Sequence, residues 1–193
     1  MTAFTSPAIA RSSLDANSAA PHAAALLQGE ILIQPLPYSP WGGAVTAKMF
    51  LPIERSRVWP QLTNYSRWVE YFPAVTRSQL LHGSPVIQPD GTSRKRLYQA
   101  ASKAFLFLVA EVEVYLTVLE TTQQRIQFIL ESGSFNDFAA DLNLQDYGKG
   151  TLLTYQVQAT PTIPVPGPFI QHAIQMDLPE NMRNMRKVLC RGH

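Results

Sequence analysis

The last part of the chain carries the pattern that most restricts the fold. Within residues 168–190 the apolar side chains recur at steps of three or four, namely Ile170, Ile174, Leu178, Met182, Met185 and Leu189. This spacing is typical of a helix with one apolar face. Pro168 suits the first helical turn, and Pro179 removes one backbone hydrogen bond, so we expect a bend there. Because such a helix must bury its apolar face, the rest of the chain has to supply a surface for it.

Most of the chain between residue 28 and this helix alternates between apolar and polar residues, as strands with one buried face do. In residues 104–120 the even positions from Leu106 to Val118 are all apolar, whereas Glu111 and Glu113 occupy odd positions that we expect to face solvent. The same alternation predicts the other strands: Glu30–Pro37, Ala44–Leu51, Val75–His82, Ser93–Lys103, Arg125–Glu131, Phe138–Leu144 and Thr151–Thr160. Tight turns between them predict an antiparallel meander.

Between residues 53 and 72 the period changes to that of helices. One short helix is limited in length by Pro60. A second follows Asn64, a residue type suited to an N-cap. Its aromatic side chains fall on one side: Trp68, Tyr71 and Phe72. The sequence therefore predicts an α+β domain in which two short helices follow a strand, about six antiparallel strands come next, and a long helix ends the chain.

Residues 1–27 lack a periodic apolar face, so we expect a disordered tail followed by one domain over residues 28–193. The tail shares its Ser/Ala-rich, acid-poor composition with organelle transit peptides, but it lacks the basic start and apolar block of a secretory signal. With 46% hydrophobic and 16% charged residues, the domain has room for a core. The longest apolar run, Ala104–Ala110, is too short to span a bilayer, so no integral membrane segment is expected.

Charge and cysteine content restrict the partners. The net charge of +2 and the short basic run Arg94–Arg96 do not indicate nucleic-acid binding. The single cysteine, Cys190, cannot form an internal disulfide, and we expect a cytoplasmic protein. The histidines lack metal-ligand spacing, so we expect neither a metal nor a cofactor. The sequence leaves the oligomeric state open.

No motif establishes catalysis, since the chain has no phosphate-binding glycine loop and no Gly-x-Ser-x-Gly elbow. The strands at 75–82 and 93–103 carry polar residues on both faces, so they are either partly exposed or line a cavity that is not wholly apolar. A cyclase or dehydratase would need an acid or base near a ketone or its α-hydrogen. The candidates for that role are Tyr98 and Tyr155, with Arg77 and Arg96 as further polar groups. A core tyrosine with a backbone partner also explains Tyr155.

The order of elements resembles the helix-grip fold of the START-like (SRPBCC) superfamily, which includes pollen allergens, lipid-transfer domains and polyketide cyclases. VWPQLTNYSRWVEYFPAV at 58–75 is similar to the signature of the polyketide cyclase/dehydrase and lipid-transport branch. LPENMRNMRKVL at 178–189 is similar to that branch's final helix. The resemblance covers about residues 44–190 and departs from the signature at Asn64, where the branch has an aspartate.

This resemblance implies a curved antiparallel sheet wrapped around the C-terminal helix, with a hydrophobic or amphipathic ligand such as a lipid, quinone, pigment or polyketide in a cavity between them. The apolar faces alone fit either a packed core or a pocket. The ligand-binding residues expected on this basis are Trp68, Tyr71, Phe72, Arg77, Tyr98, Leu108, Val112, Phe128, Tyr155, Ile174 and Met182. A carrier or sensor is favoured over a small cyclase or dehydratase, because the inward positions are nearly all apolar. A module without a ligand is the third alternative.

Overall fold

The computed structural model describes residues 22–83, 85–105 and 108–191, without the side chains of residues 103–105 and 108–110. Its helices are α1 (residues 22–27), α2 (Arg55–Leu62), α3 (Trp68–Tyr71, preceded by a 3-10 turn at Tyr65–Arg67) and α4 (Gly167–Leu189). Its strands are β1 (Leu32–Leu36), β2 (Gly43–Leu51), β3 (Val75–Leu80), β4 (Val86–Ile87), β5 (Ser93–Phe105), β6 (Leu108–Thr121), β7 (Arg125–Gly133), β8 (Phe135–Tyr147) and β9 (Gly150–Pro161).

The strands described here form one antiparallel sheet in the order β1-β2-β9-β8-β7-β6-β5-β3, with the two-residue β4 paired to β5. The predicted α+β architecture, a curved antiparallel sheet with a long C-terminal helix, is confirmed. Strand β1, which contains Pro35, is at an edge of the sheet, where a missing backbone donor is tolerated. None of the helices in the described part of the chain has the length and hydropathy needed to cross a bilayer.

The sheet bends at three irregularities of register. These β-bulges fall between Val75 and Arg77, between Tyr115 and Leu116, and between Phe135 and Asp137. A bulge adds one residue to one strand and increases its local bend and twist. The sheet consequently has a concave face, which carries the core, and a convex face, which carries the charged side chains Glu111 and Glu113 as predicted.

Helix α4 covers only part of the concave face. It packs mainly on β2 and α3, and to a lesser extent on β1 and β9. Its buried side chains are Leu178, Met182, Met185, Val188 and Leu189, whereas Ile174 is half-buried against the same core. Pro179 lies inside one continuous helix. The long amphipathic helix predicted from the sequence is therefore present, with its C-terminal half as the buried half.

The start of α4 is bonded directly to strand β2. The Gln171 side chain accepts a hydrogen bond from the Ala44 N–H at 2.8 Å and donates one to the Ala44 carbonyl at 2.9 Å. A Cβ atom at Gly43 would lie 2.7 Å from the backbone nitrogen of Gln171 and 2.8 Å from its Cα. Only glycine therefore allows this close approach of helix and strand.

The start of the domain differs from the expectation. Residues 22–27, which were assigned to a disordered tail, form helix α1. Leu26 is the buried residue of this helix, with only 6% of the Leu26 surface exposed. A single helical turn has no sustained periodicity, and its burial depends on the sheet, so the sequence pattern missed it. Residues 1–21 lie outside the described part of the chain.

Replacing Gly43 with Ala should lower the free energy of unfolding by about 2 kcal/mol, the cost of overpacking a contact between backbones. This loss outweighs the ~0.5–1 kcal/mol that alanine gains over glycine in a strand. Urea denaturation measures it. Because the clash is with the Gln171 backbone, adding Gln171→Ala should not restore stability. An unchanged midpoint for Gly43→Ala would mean that α4 does not approach β2 as described.

Candidate functional site

The concave face carries a partly open cavity of about 200 Å³ beside the aromatic helix α3. Its walls come from α3 and the residue after it, from the starts of β3 and β8, and from the middle parts of β5, β6 and β9. Nearly all of the lining is hydrocarbon. The described residues that line it are Trp68, Phe72, Val75, Gln99, Ala100, Ala101, Val112, Val114, Phe135, Phe138 and Tyr155.

Helix α3 forms one wall and is held in place by hydrogen bonds to its backbone and aromatic groups. The Trp68 indole N–H donates to the Leu62 carbonyl at 2.9 Å, and the Tyr71 hydroxyl donates to the Gln61 carbonyl at 3.0 Å. From α4, the Asn184 side-chain amide donates to the Glu70 carbonyl at 2.6 Å. Trp68 stacks on Phe72 with 5.5 Å between ring centres, so the wall is a rigid aromatic surface.

A buried polar network supports Trp68 from the side away from the cavity. The Tyr65 hydroxyl donates to the Glu120 carboxylate at 2.5 Å, and the Lys95 ammonium donates to both carboxylate oxygens at 2.7 and 2.9 Å. Glu120 is only 6% exposed. Burial, and then the charge of Glu120, raise the pKa of Tyr65. The Tyr65 ring packs against Trp68 at 6.2 Å, so this network fixes the base of the aromatic wall.

The bulge in β8 brings two phenylalanines onto the same face. Phe135 and Phe138 are three residues apart, yet both line the cavity, with 5.4 Å between their ring centres. Without the irregularity between Phe135 and Asp137, strict alternation would send Phe135 to the opposite face. The bulge therefore converts a solvent-facing position into part of the lining.

Two polar side chains interrupt the apolar lining. Gln99 is half-buried, and its amide donates to the buried Ser78 hydroxyl at 3.1 Å. Tyr155 is 6% exposed, with its ring 6.0 Å from that of Phe72. Its hydroxyl has no hydrogen-bond partner among the described residues and borders the open space of the cavity. Burial raises the pKa of the Tyr155 phenol, so the group is a neutral hydrogen-bond donor at physiological pH.

Four of the predicted ligand-binding residues line this cavity: Trp68, Phe72, Val112 and Tyr155. The lining also contains residues that the prediction omitted from the site. Val114 and Phe138 have the inward parity of their strands, so alternation places them on this face. Ala100 and Ala101 leave room because their side chains are small, a signal that hydrophobic periodicity does not register.

The structure places the other predicted site residues away from the lining. Tyr71, Phe128 and Met182 are buried in the packed core, and Ile174 lies against its margin. Arg77 and Tyr98 lie on the convex face, with the guanidinium 5.6 Å from the ring centre and the Tyr98 hydroxyl donating to Glu113 at 2.8 Å. The Leu108 side chain is outside the described residues.

The position of the cavity also differs from the expectation of a space between the sheet and the C-terminal helix. No residue of α4 is among the described lining residues. Helix α4 instead lies toward β1, β2 and β9, and α3 covers the strands that α4 does not reach. In the described part of the chain, His, Cys, Asp and Glu do not form clusters suited to a metal ion.

A curved antiparallel sheet, a long C-terminal helix and an apolar cavity beside two short helices define a START-like domain of the helix-grip class. Residues 51–186 match the family described as polyketide cyclase / dehydrase and lipid transport, and the chain belongs to this family. The resemblance drawn from residues 58–75 and 178–189 is thereby confirmed. No curated protein matches the sequence.

Solved structures share the fold at low sequence identity. A START superfamily protein from Mycobacterium smegmatis is 14% identical, with a TM-score of 0.59 over 76% of this chain and 98% of that one. A STAR-related lipid transfer protein from Xanthomonas axonopodis is 13% identical, with a TM-score of 0.56 over 81% and 98%. The Zhui aromatase/cyclase from a Streptomyces species is 8% identical, with a TM-score of 0.56 over 77% and 93%. Such identities establish the fold alone.

The buried network predicts an asymmetric response to substitution. Glu120→Leu should lower the free energy of unfolding by about 3 kcal/mol, because it leaves the Lys95 charge and the Tyr65 hydroxyl without their partner. The double variant Glu120→Leu with Lys95→Met should be more stable than Glu120→Leu alone. Chemical denaturation of the two single variants and the double variant measures the coupling. Additive losses would show that the three groups do not act as one network.

Proposed function

We propose that this protein binds a hydrophobic small molecule in the cavity beside α3 and carries or senses it without changing it chemically. The observation that carries the proposal is the lining: aromatic and aliphatic side chains from six elements converge on one space of about 200 Å³. Burial of apolar ligand surface supplies roughly 25 cal/mol per Å². A concave, mostly apolar lining of this kind is typical of a small-molecule site.

The rigidity of α3 supports binding in a preformed site. Moving Trp68 or Tyr71 out of place would break their bonds to the Leu62 and Gln61 carbonyls, and moving the backbone would break those from Asn184. A site that is already shaped loses less conformational entropy when the ligand arrives. Helix α3 therefore acts as a fixed wall of the site.

The alternative function is a small cyclase or dehydratase acting on an aromatic or polyketide-like ketone. The observation that favours it is the Tyr155 hydroxyl, which lies in the lining with no described partner. Incubation of the protein with an aromatic polyketone, followed by mass spectrometry, distinguishes the two functions. A carrier returns the compound unchanged. Turnover that Tyr155→Phe abolishes would establish the enzyme instead.

Filling the cavity should abolish binding without unfolding the protein. Ala101→Phe places a ring in the space that a ligand would occupy, and it should remove the saturable fluorescence change of a neutral naphthyl ketone dye. The matched control is Ala139→Phe, on the convex face beside Gln156 and Gln158, which should bind the dye as the wild type does. Thermal melting verifies that each variant is folded, and Val112→Phe serves as a second cavity-filling variant.

If the wild type shows no saturable binding of the dye, or if Ala101→Phe and Val112→Phe bind as tightly as Ala139→Phe, the cavity is not the ligand site. Either result contradicts the proposed function, because both hydrophobic carriage and ketone chemistry need this cavity.

A further inference from the structure

The hydroxyl of Tyr155 is a polar group in a cavity whose lining is almost wholly apolar. Strand β9 lies between β2 and β8, and Tyr155 sits opposite Ala47 on one side and Leu142 on the other. The Tyr155 side chain is more than nine-tenths buried, and its hydroxyl has no hydrogen-bond partner among the described residues. Because every fully buried side-chain nitrogen or oxygen in the described part of the chain has a partner, this hydroxyl must border the open space of the cavity, where a ligand with a suitable acceptor would pair with it.

The lining also restricts the charge of the ligand. The described lining residues include no Asp, Glu, Lys, Arg or His, and the Gln99 amide already donates to Ser78. An ionised ligand would lose its hydration without gaining an opposite charge, which is costly in an apolar site. The site therefore favours a neutral compound.

The size and shape of the cavity restrict the ligand further. Its volume of about 200 Å³ exceeds the ~150 Å³ cavity known to take one benzene and is below the ~300–1,000 Å³ of sites for drug-sized ligands. The walls present aromatic rings from Trp68, Phe72, Phe135 and Phe138. Aromatic side chains prefer offset or edge-to-face contact with other rings, and such pairs add stability beyond the area they bury.

We propose that the site selects small, neutral aromatic carbonyl compounds of one or two rings, and that Tyr155 determines this selectivity by donating its hydroxyl hydrogen bond to the ligand's carbonyl oxygen. The inference rests on the proposed function, since it concerns the same cavity. It adds a ligand class and a specificity residue. A hydrocarbon of equal shape leaves the Tyr155 hydroxyl unpaired and binds more weakly.

Three probes of similar size test this inference by isothermal titration calorimetry: acetophenone, ethylbenzene and benzoate. The wild type should bind acetophenone about fivefold more tightly than ethylbenzene, the value of one hydrogen bond, and should bind benzoate most weakly. Tyr155→Phe removes only the hydroxyl and should bring acetophenone to the affinity of ethylbenzene. The control Tyr98→Phe makes the same change on the convex face and should leave the preference intact.

The possible results of the titrations separate the role of Tyr155 and the ligand class from the proposed function on which both rest. Equal wild-type affinity for acetophenone and ethylbenzene, or a preference that survives in Tyr155→Phe, overturns the assignment to Tyr155 while leaving a hydrophobic binding site. Tightest binding of benzoate overturns the neutral ligand class. Absence of binding by all three probes and by the naphthyl ketone dye overturns both the inference and the proposed function.

Discussion

The position of helix α4 over strand β2 is the constraint on which the rest of the structure depends. Two hydrogen bonds between Gln171 and the Ala44 backbone fix the start of the helix, and Gly43 permits the close approach. With its start held there, α4 lies over one end of the concave sheet and leaves the strands at the other end uncovered. Helix α3 covers part of that surface, and the space that remains is the cavity.

The aromatic wall of this space depends on groups that lie outside the cavity. Asn184 bonds the end of α3 to α4, and the Tyr65–Glu120–Lys95 network holds the ring beneath Trp68. A charged pair buried in this way adds little net stability, but it favours one arrangement because any other would leave a buried charge without its partner. The polar residues of this region therefore serve the shape of a site whose own surface is apolar.

Much of the fold could be predicted from the sequence, because each element there has a simple period. The alternation in β6 correctly placed Val114 inside and Glu111 outside, and the three- and four-residue steps identified α4. The site was less predictable. Phe135 reaches the lining only through a bulge, which breaks the alternation used to assign faces. Tyr98 and Gln99 are neighbours on a strand with polar residues on both faces, so only the structure separates the outward tyrosine from the inward amide.

The predicted placement of the ligand against α4 differed from the structure for a related reason. Periodicity established that α4 has an apolar face, but not which strands that face covers. This depends on contacts between residues more than a hundred positions apart, such as those of Gln171 with Ala44. Met182 lies on the apolar face of α4, as a lining residue would, but it is packed in the core.

We have proposed that a neutral aromatic carbonyl compound occupies the space between α3 and the sheet. A crystal structure of the protein with acetophenone tests it most directly. We expect density for the ring between Phe72, Val112 and Phe135, with the carbonyl oxygen within hydrogen-bonding distance of the Tyr155 hydroxyl. Side chains that fill the space, or a ligand found only elsewhere on the protein, would contradict it.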